Sequence, residues 1–345
     1  MNSIQLDFVF REMNFRVPAR TSRDTLFTKP SWFIRLTDSA TLQTGYGECS
    51  LIPTLSIDDP VRITSELQSL KSSGLSEEVD LSYFSFAPAL RFALESAINS
   101  LKNQPFTVFP SSFDKNPIPI NGLIWMDHAE GMLQQIEDRV AEGFSILKMK
   151  VGALDHEEEL EILRAFRSRY PSSQFELRVD ANGAFTKENA LDRLNELSQF
   201  DIHSIEQPIK PRQWELIKDL VANSPIPIAL DEELIGYPDK ELVLDTIMPD
   251  YLIIKPSLIG GFREAEEWTK LASERGINWW ATSALEANIG LNAIAQWCAQ
   301  SGNPLPQGLG TGRLFTNNIP SPLLVKDAHI QATNTPWDLS SLDFD

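Results

Sequence analysis

Three carboxylates recur at intervals of about 25 positions in this 345-residue chain, each closing a short apolar run: Asp180 after Leu177-Arg178-Val179, Glu206 after Ser204-Ile205, and Asp231 after Ile228-Ala229-Leu230. Lysines flank the series, with Lys148 and Lys150 upstream and Lys255 downstream. Carboxylate oxygens with no histidine or cysteine among them suit a hard divalent cation, Mg²⁺ with Mn²⁺ as a substitute, and not zinc. Such an ion would hold a substrate carboxylate and take up the second negative charge when its α-carbon loses a proton. The proton acceptor has to be neutral at working pH. A lysine beside another lysine and near a cation has its pKa pushed down, which makes one of the Lys148/Lys150 pair a usable base.

Taken one at a time, these residues have ordinary explanations. An Asp after a strand often caps the next helix, and Lys-x-Lys is a common device on exposed edge strands. All six at successive strand ends, where barrel active sites lie, are much harder to explain as caps and surface charges. Side chains alternate along a strand, so Lys148 and Lys150 share a face that excludes Met149, and Arg178, Asp180 and Asn182 share one that excludes Leu177 and Val179. An unpaired ammonium is costly against packed helices, so both lysines are expected to face the barrel mouth.

The elements that must position these groups can be read from periodicity. Residues up to about 50 read as strands, with Trp32-Phe33-Ile34-Arg35-Leu36 entering a turn at Thr37-Asp38-Ser39 and Gly45-Tyr46-Gly47-Glu48 as the hairpin return. Asp58 or Asp59 then caps a helix with Pro60 in its first turn, and Leu90, Ala93, Leu94, Ala97, Ile98 and Leu101 form a helical stripe. This is an α+β module over residues 1–115. Beyond a Pro- and Ser-rich linker, strands are expected near 118–125, 145–151, 175–180, 202–206, 227–231, 251–255, 277–282 and 307–310, with helices between them, for example at 157–169 and 286–300. That alternation predicts a (β/α) barrel over 116–315, followed by a C-terminal segment, 316–345, returning towards the first module. A doubly wound open sheet would share the local pattern. It is disfavoured because no Gly-x-Gly-x-x-Gly follows an early strand, and Gly308-Leu309-Gly310-Thr311-Gly312 comes too late.

A formal charge of −18 argues against a nucleic-acid partner. It also means that an anionic substrate has to be held by local positive charge, not by the overall field. Cys49 and Cys298 stand far apart and read as buried thiols of a reducing compartment. Neither a signal-peptide pattern nor an apolar run of membrane-spanning length is evident, so a cytoplasmic protein acting on a small-molecule carboxylate is expected, with its oligomeric state left open.

Lys-x-Lys, then Asp, Glu, Asp and Lys on consecutive strand ends resembles the enolase superfamily, specifically its muconate-lactonizing branch. A lysine base with Mg²⁺ stabilising an enediolate is the worked pattern for that superfamily. The resemblance implies a modified barrel of (β/α)7β type under an N-terminal α+β capping domain, whose two loops over the mouth would be Thr21-Ser22-Arg23 and Gly45-Tyr46-Gly47-Glu48-Cys49. Four segments are most similar to the o-succinylbenzoate synthase family of menaquinone biosynthesis: Lys29 to Phe33, Ile120 to Met126, Ser283 to Ala293 and Gly308 to Asn318. What this implies is loss of water from 2-succinyl-6-hydroxy-2,4-cyclohexadiene-1-carboxylate. Lys150 would be base and then acid, Lys148 would depress its pKa, and Lys255 would face the ring. Asp180, Glu206 and Asp231 would ligate Mg²⁺. Asn182, Arg178 and Ser283 would contact substrate or support the site, with an ion pair beneath the metal an equal reading for Arg178.

Two rivals stand beside this. The same lysines could racemise an N-succinylamino acid or epimerise a dipeptide. Dipeptide epimerases of the branch carry Asp-x-Asp on the eighth strand, and 307–311 holds no acid; mandelate-type enzymes use a histidine on the seventh, and 279–283 holds none. A catalytically silent binding barrel is the second rival, and the presence of all six residues weighs against it.

Overall fold

In the computed structural model, which describes residues 4–20, 24–76, 79–110, 113 and 116–344, the first fifty residues form an antiparallel sheet in the order β1-β2-β3. Its strands are β1 (Ile4–Arg20), β2 (Thr25–Asp38) and β3 (Thr44–Ser50). The aromatic and β-branched run at 32–36 is fit for a central strand, and Trp32, Phe33, Ile34 and Leu36 are all buried there. The expected loop at Thr21, Ser22 and Arg23 lies outside the described residues.

Two helices cover the sheet, α1 (Pro60–Ser73) and α2 (Pro88–Lys102). Both aspartates read as candidate caps act, each on a different helix. Asp59 accepts from Val61 N at 2.9 Å in α1, and Asp58 accepts from Ala89 N at 2.9 Å in α2. The stripe from Leu90 to Leu101 is buried throughout and packs with Leu6, Ile34, Ile63 and Leu67. Strand β3 lies so close to α2 that a Cβ built on Gly47 would sit 2.0 Å from the Ala93 carbonyl oxygen, and one on Gly45 2.1 Å from that of Ala97. Backbone cannot yield as a flexible side chain does. Gly47→Ala is therefore expected to cost about 3 kcal/mol, the upper end of overpacking, read as a lower urea midpoint with an unchanged slope.

Asp58 provides a test in pH. Burial lifts its carboxyl to about 6, outweighing the hydrogen bond from Ala89, and its Oδ2 has no hydrogen-bond partner among the described residues. A native pKa above the unfolded one means that the protonated form favours folding. This contribution is complete below the unfolded value of 3.8 and is lost as pH rises through about 6. Asp58→Asn keeps an acceptor for Ala89 and carries no charge, so it should gain on the parent by about 1–3 kcal/mol between pH 4 and 7. A constant difference in unfolding free energy across that range would contradict the assignment.

The barrel follows: β4 (Ile118–Pro119), β5 (Gly122–Ile124), α3 (Ala129–Ala141), β6 (Ile146–Lys150), α4 (His156–Arg169), β7 (Glu176–Asp180), α5 (Ala190–Leu197), β8 (Ser204–Glu206), α6 (Trp214–Asn223), β9 (Ile228–Leu230), α7 (Lys240–Ile247), β10 (Tyr251–Ile254), α8 (Pro256–Ile259), α9 (Phe262–Glu274), β11 (Asn278–Ala281) and α10 (Asn288–Ser301). Among the described residues, β5 to β11 form a seven-stranded sheet in sequential order, every pair parallel. The eighth stave, expected at 307–310, is reduced to two isolated parallel bridges, Ile120↔Gln307 and Thr282↔Gly308. Pro306 can donate no ladder hydrogen bond, and Gly308 passes so close to Thr282 that an added Cβ would meet its Oγ1 at 2.6 Å. The two bridges nevertheless join the first and seventh staves and close the barrel.

The chain ends on β12 (Leu323–Lys326) and β13 (His329–Ala332), which pair with β4 in a small antiparallel sheet. Residues on both sides of this pair of strands reach the first sheet. Thr316 N donates to Asn14 O at 2.9 Å, Arg35 to Phe344 O at 3.1 Å, and Ile319 and Leu342 pack with Met13, Phe15 and Phe33. Cys49 and Cys298 are free and buried. Among the described residues no helix is long and apolar enough to cross a membrane.

Candidate active site

Parallel pairing brings the chemistry-bearing residues into line at the strands' C-terminal ends. Lys148 and Lys150 face Arg178 and Asp180 across β6 and β7, and Asp180 faces Glu206 across β7 and β8. Asp231 and Lys255 directly follow β9 and β10. All six are buried, the most exposed being Lys150 at 9%.

Buried charges persist only when paired, and here they are. Lys148 lies 2.9 Å from Asp180 Oδ2 and also donates to Glu206 Oε2. Lys150 donates to Asp180 Oδ2 at 2.6 Å and to Asn182 Oδ1 at 2.8 Å. Lys255 donates to Asp231 Oδ2 and lies 3.6 Å from Glu206 Oε1. Burial works against the charge of every ammonium, and the neighbours decide the outcome. Asp180 and Glu206 overcome it at Lys148, and Asp231 and Glu206 at Lys255, so both are held above the ordinary lysine value. At Lys150 burial prevails, helped by the charge on Lys148, and the amine is held below it.

Among the described residues no three Asp, Glu, His or Cys side chains converge into a metal cage; the carboxylates are instead bridged by the lysines, Lys148 between Asp180 and Glu206 and Lys255 between Glu206 and Asp231. The donor set nevertheless fits a hard cation. Burial, and then the charge on Asp180, push Glu206 above the usual carboxylate range. Its Oε1 is buried and accepts no hydrogen bond among the described residues. Added positive charge at that oxygen would relieve both penalties.

The cluster floors a pocket whose walls include Asn121, Trp125, Thr282, Ser283, Leu285 and Thr311, under a lid from the first domain at Leu26 and residues 52–55. Lys148, Lys150, Asn182 and Lys255 all line it. Asn182, at φ 45°, accepts from Lys150 and donates to Glu232 Oε1 at 3.2 Å, so it also orients the Lys150 side chain. Arg178 does not line the pocket. It donates to Glu176 at 2.8 Å and to Pro306 O at 3.0 Å and lies over the Trp280 ring, which is the ion-pair reading. Ser283 lines the pocket with its hydroxyl already engaged. It donates to Glu286 at 2.5 Å and accepts from Leu285 N at 3.0 Å and Thr311 at 2.8 Å, so it shapes the wall and has no proton left for a ligand.

Residues 45–49, expected as a loop over the mouth, lie in strand β3, where the glycines admit α2. The covering segment is the next one, 52–55. Buried contacts hold the first domain on this wall: Lys29 donates to Ala284 O at 3.3 Å and Leu285 O at 2.6 Å, and Glu48 accepts from Ala287 N and Gly290 N.

Residues 131–336 match the Enolase C-terminal domain-like family. An o-succinylbenzoate synthase from Desulfotalea psychrophila is 44% identical over 94% of this chain and 98% of its own length. This chain belongs to the o-succinylbenzoate synthase family. The crystal structure of MenC from the same organism matches it with a TM-score of 0.85 at 42% identity, covering 96% of this chain and 100% of that one. A dipeptide epimerase from Enterococcus faecalis, solved with Mg and L-Leu-L-Tyr, has the same fold at a TM-score of 0.85 and 21% identity, covering 97% of this chain and 98% of that one. Sequence reasoning toward an o-succinylbenzoate synthase family site missed Asn121, Thr282, Thr311 and Glu232. Glu232 was open to view, directly after Asp231; the others carry no charge and stand out only once the pocket is formed.

Proposed function

We propose that the protein is a cation-dependent, cytoplasmic dehydratase that converts 2-succinyl-6-hydroxy-2,4-cyclohexadiene-1-carboxylate to 2-succinylbenzoate and water in menaquinone biosynthesis. In this reading the barrel carries the chemistry and the α+β domain of residues 1–115 covers it. The observation that carries the reading is Lys150, held by Asp180 Oδ2 and Asn182 Oδ1 and on the same strand as a second buried lysine, Lys148, in a chain 44% identical to an o-succinylbenzoate synthase.

Asp180, Glu206 and Asp231 would hold Mg²⁺, or Mn²⁺ in its place. When bound, the cation supplies positive charge to the substrate carboxylate as negative charge builds on it. Lys150 in its neutral form takes the proton α to the ring carboxylate, giving an enediolate. The same nitrogen, now an ammonium on the same face, gives that proton to the departing hydroxyl, so the C–O bond breaks, water leaves and the ring becomes aromatic. Lys148 stays charged beside it, which keeps Lys150 depressed and stabilises the enediolate. Lys255, which lines the pocket with Lys150, faces the ring from the other side as a cation over developing π density. Asn182 fixes Lys150 in position. The test is to incubate the purified protein with the cyclohexadiene acid and Mg²⁺. One aromatic product per substrate consumed is expected, and absence of aromatic product overturns the reading.

A further inference from the structure

A second cavity adjoins the pocket and shares its wall at Asn121, Leu123, Trp125, Gly310 and Thr311. The pocket itself is narrow, about 90 Å³, whereas its neighbour offers about 420 Å³. For a ligand whose ring lies against Lys150, that wall borders the larger of the two spaces into which a long substituent could extend.

The neighbouring cavity is lined by Arg16, Arg20, Arg139 and Arg313, in a chain of formal charge −18. Arg20 is paired with Asp127 at 3.2 Å and Arg139 with Glu142 at 2.9 Å. Arg16 and Arg313 form no ion pair among the described residues, and donate to the carbonyls of Phe315 and Val325 at 3.5 and 3.1 Å. On the shared wall stands Asn121, 3% exposed, with an Oδ1 that has no hydrogen-bond partner among the described residues. A buried amide oxygen without a donor is costly, and the NH2 group of the same side chain is the one that can donate to a ketone or carboxylate passing this wall.

Resting on the dehydratase reading, we infer that this arginine-lined cavity is the subsite for the substrate's second carboxylate. The ring lies at Lys150, the keto-acid arm passes Asn121, and the terminal carboxylate meets the guanidinium groups of Arg16 and Arg313. Guanidinium is the side chain best matched to a carboxylate in a partly solvated site, and a local cluster of it offsets the repulsion an acidic protein exerts on a dianion.

The test compares calorimetric binding of 2-succinylbenzoate with that of 2-butanoylbenzoate, in which a methyl group replaces the terminal carboxylate, to the full chain with Mg²⁺. The parent should prefer the dicarboxylate by about tenfold or more, and R16Q/R313Q, which alters exposed side chains, should lose most of that preference by weakening on the dicarboxylate alone. Asn121→Leu should weaken both ligands, since both carry the ketone that passes it. Full retention of the preference by the double variant overturns the inference. Turnover of the cyclohexadiene acid by the same parent preparation separates the two levels. Turnover with an unchanged preference sinks the subsite alone, and no turnover sinks the reading beneath it.

Discussion

Lys150→Ala should be folded and slower than the parent by at least about 10³-fold in kcat, because general-base catalysis alone contributes some 10²–10⁴-fold and the same side chain also serves as the acid. The fold is expected to hold because Asp180 keeps Lys148 at 2.9 Å and accepts from Asn182 N at 3.0 Å, so its buried charge is not stranded. Lys150→Arg sharpens the result. A guanidinium restores the charge but cannot act as a base near neutral pH, so the arginine variant should be as inactive as the alanine one. Recovery of substantial rate by arginine would make Lys150 an electrostatic residue and leave the base unassigned. A well-folded alanine variant with near-parental turnover would remove it from the chemistry altogether.

Chelation is the second large effect. Dialysis against EDTA should abolish turnover, and Mg²⁺ or Mn²⁺ should restore it. The stripped protein should stay folded, since Lys148, Lys150 and Lys255 already neutralise the carboxylates. Re-addition should raise the melting temperature, with a stabilisation of about 2.7 kcal/mol at a hundredfold excess over Kd. Asp231→Asn should weaken both the restoration and the thermal shift. Full activity in a metal-free preparation would sink the assignment of Asp180, Glu206 and Asp231 as ligands.

Much of this site was legible in the chain because charge on a barrel strand has few places to go. Period-2 alternation put Lys148 with Lys150 and Asp180 with Asn182, and the parallel register then fixed Lys150 opposite Asp180 and Asp180 opposite Glu206. What remained hidden had one of two physical causes. The eighth stave is made of single bridges beside Gly308, which leave almost no periodic signal. The role of a polar side chain depends on partners distant in sequence. Ser283 looked available until Glu286, Leu285 and Thr311 were found to use its hydroxyl, and Arg178 looked ambiguous until Glu176 and Pro306 were found to accept from its Nε and Nη1. Asn121 is the converse, a neutral residue made conspicuous only by the contact its buried Oδ1 lacks.

The barrel fold at 21% identity is shared with dipeptide epimerases, so the reaction, not the architecture, is the central claim. One measurement addresses it: kcat/KM of the Mg²⁺-loaded protein for dehydration of the cyclohexadiene acid, set beside kcat/KM for racemisation of N-succinylamino acids. The chain is 44% identical over 94% of its length to an o-succinylbenzoate synthase, against 21% to the epimerase, so dehydration should exceed racemisation by at least about a hundredfold. Equal or faster racemisation would contradict the assignment of Lys150 as the single base and of dehydration as the reaction.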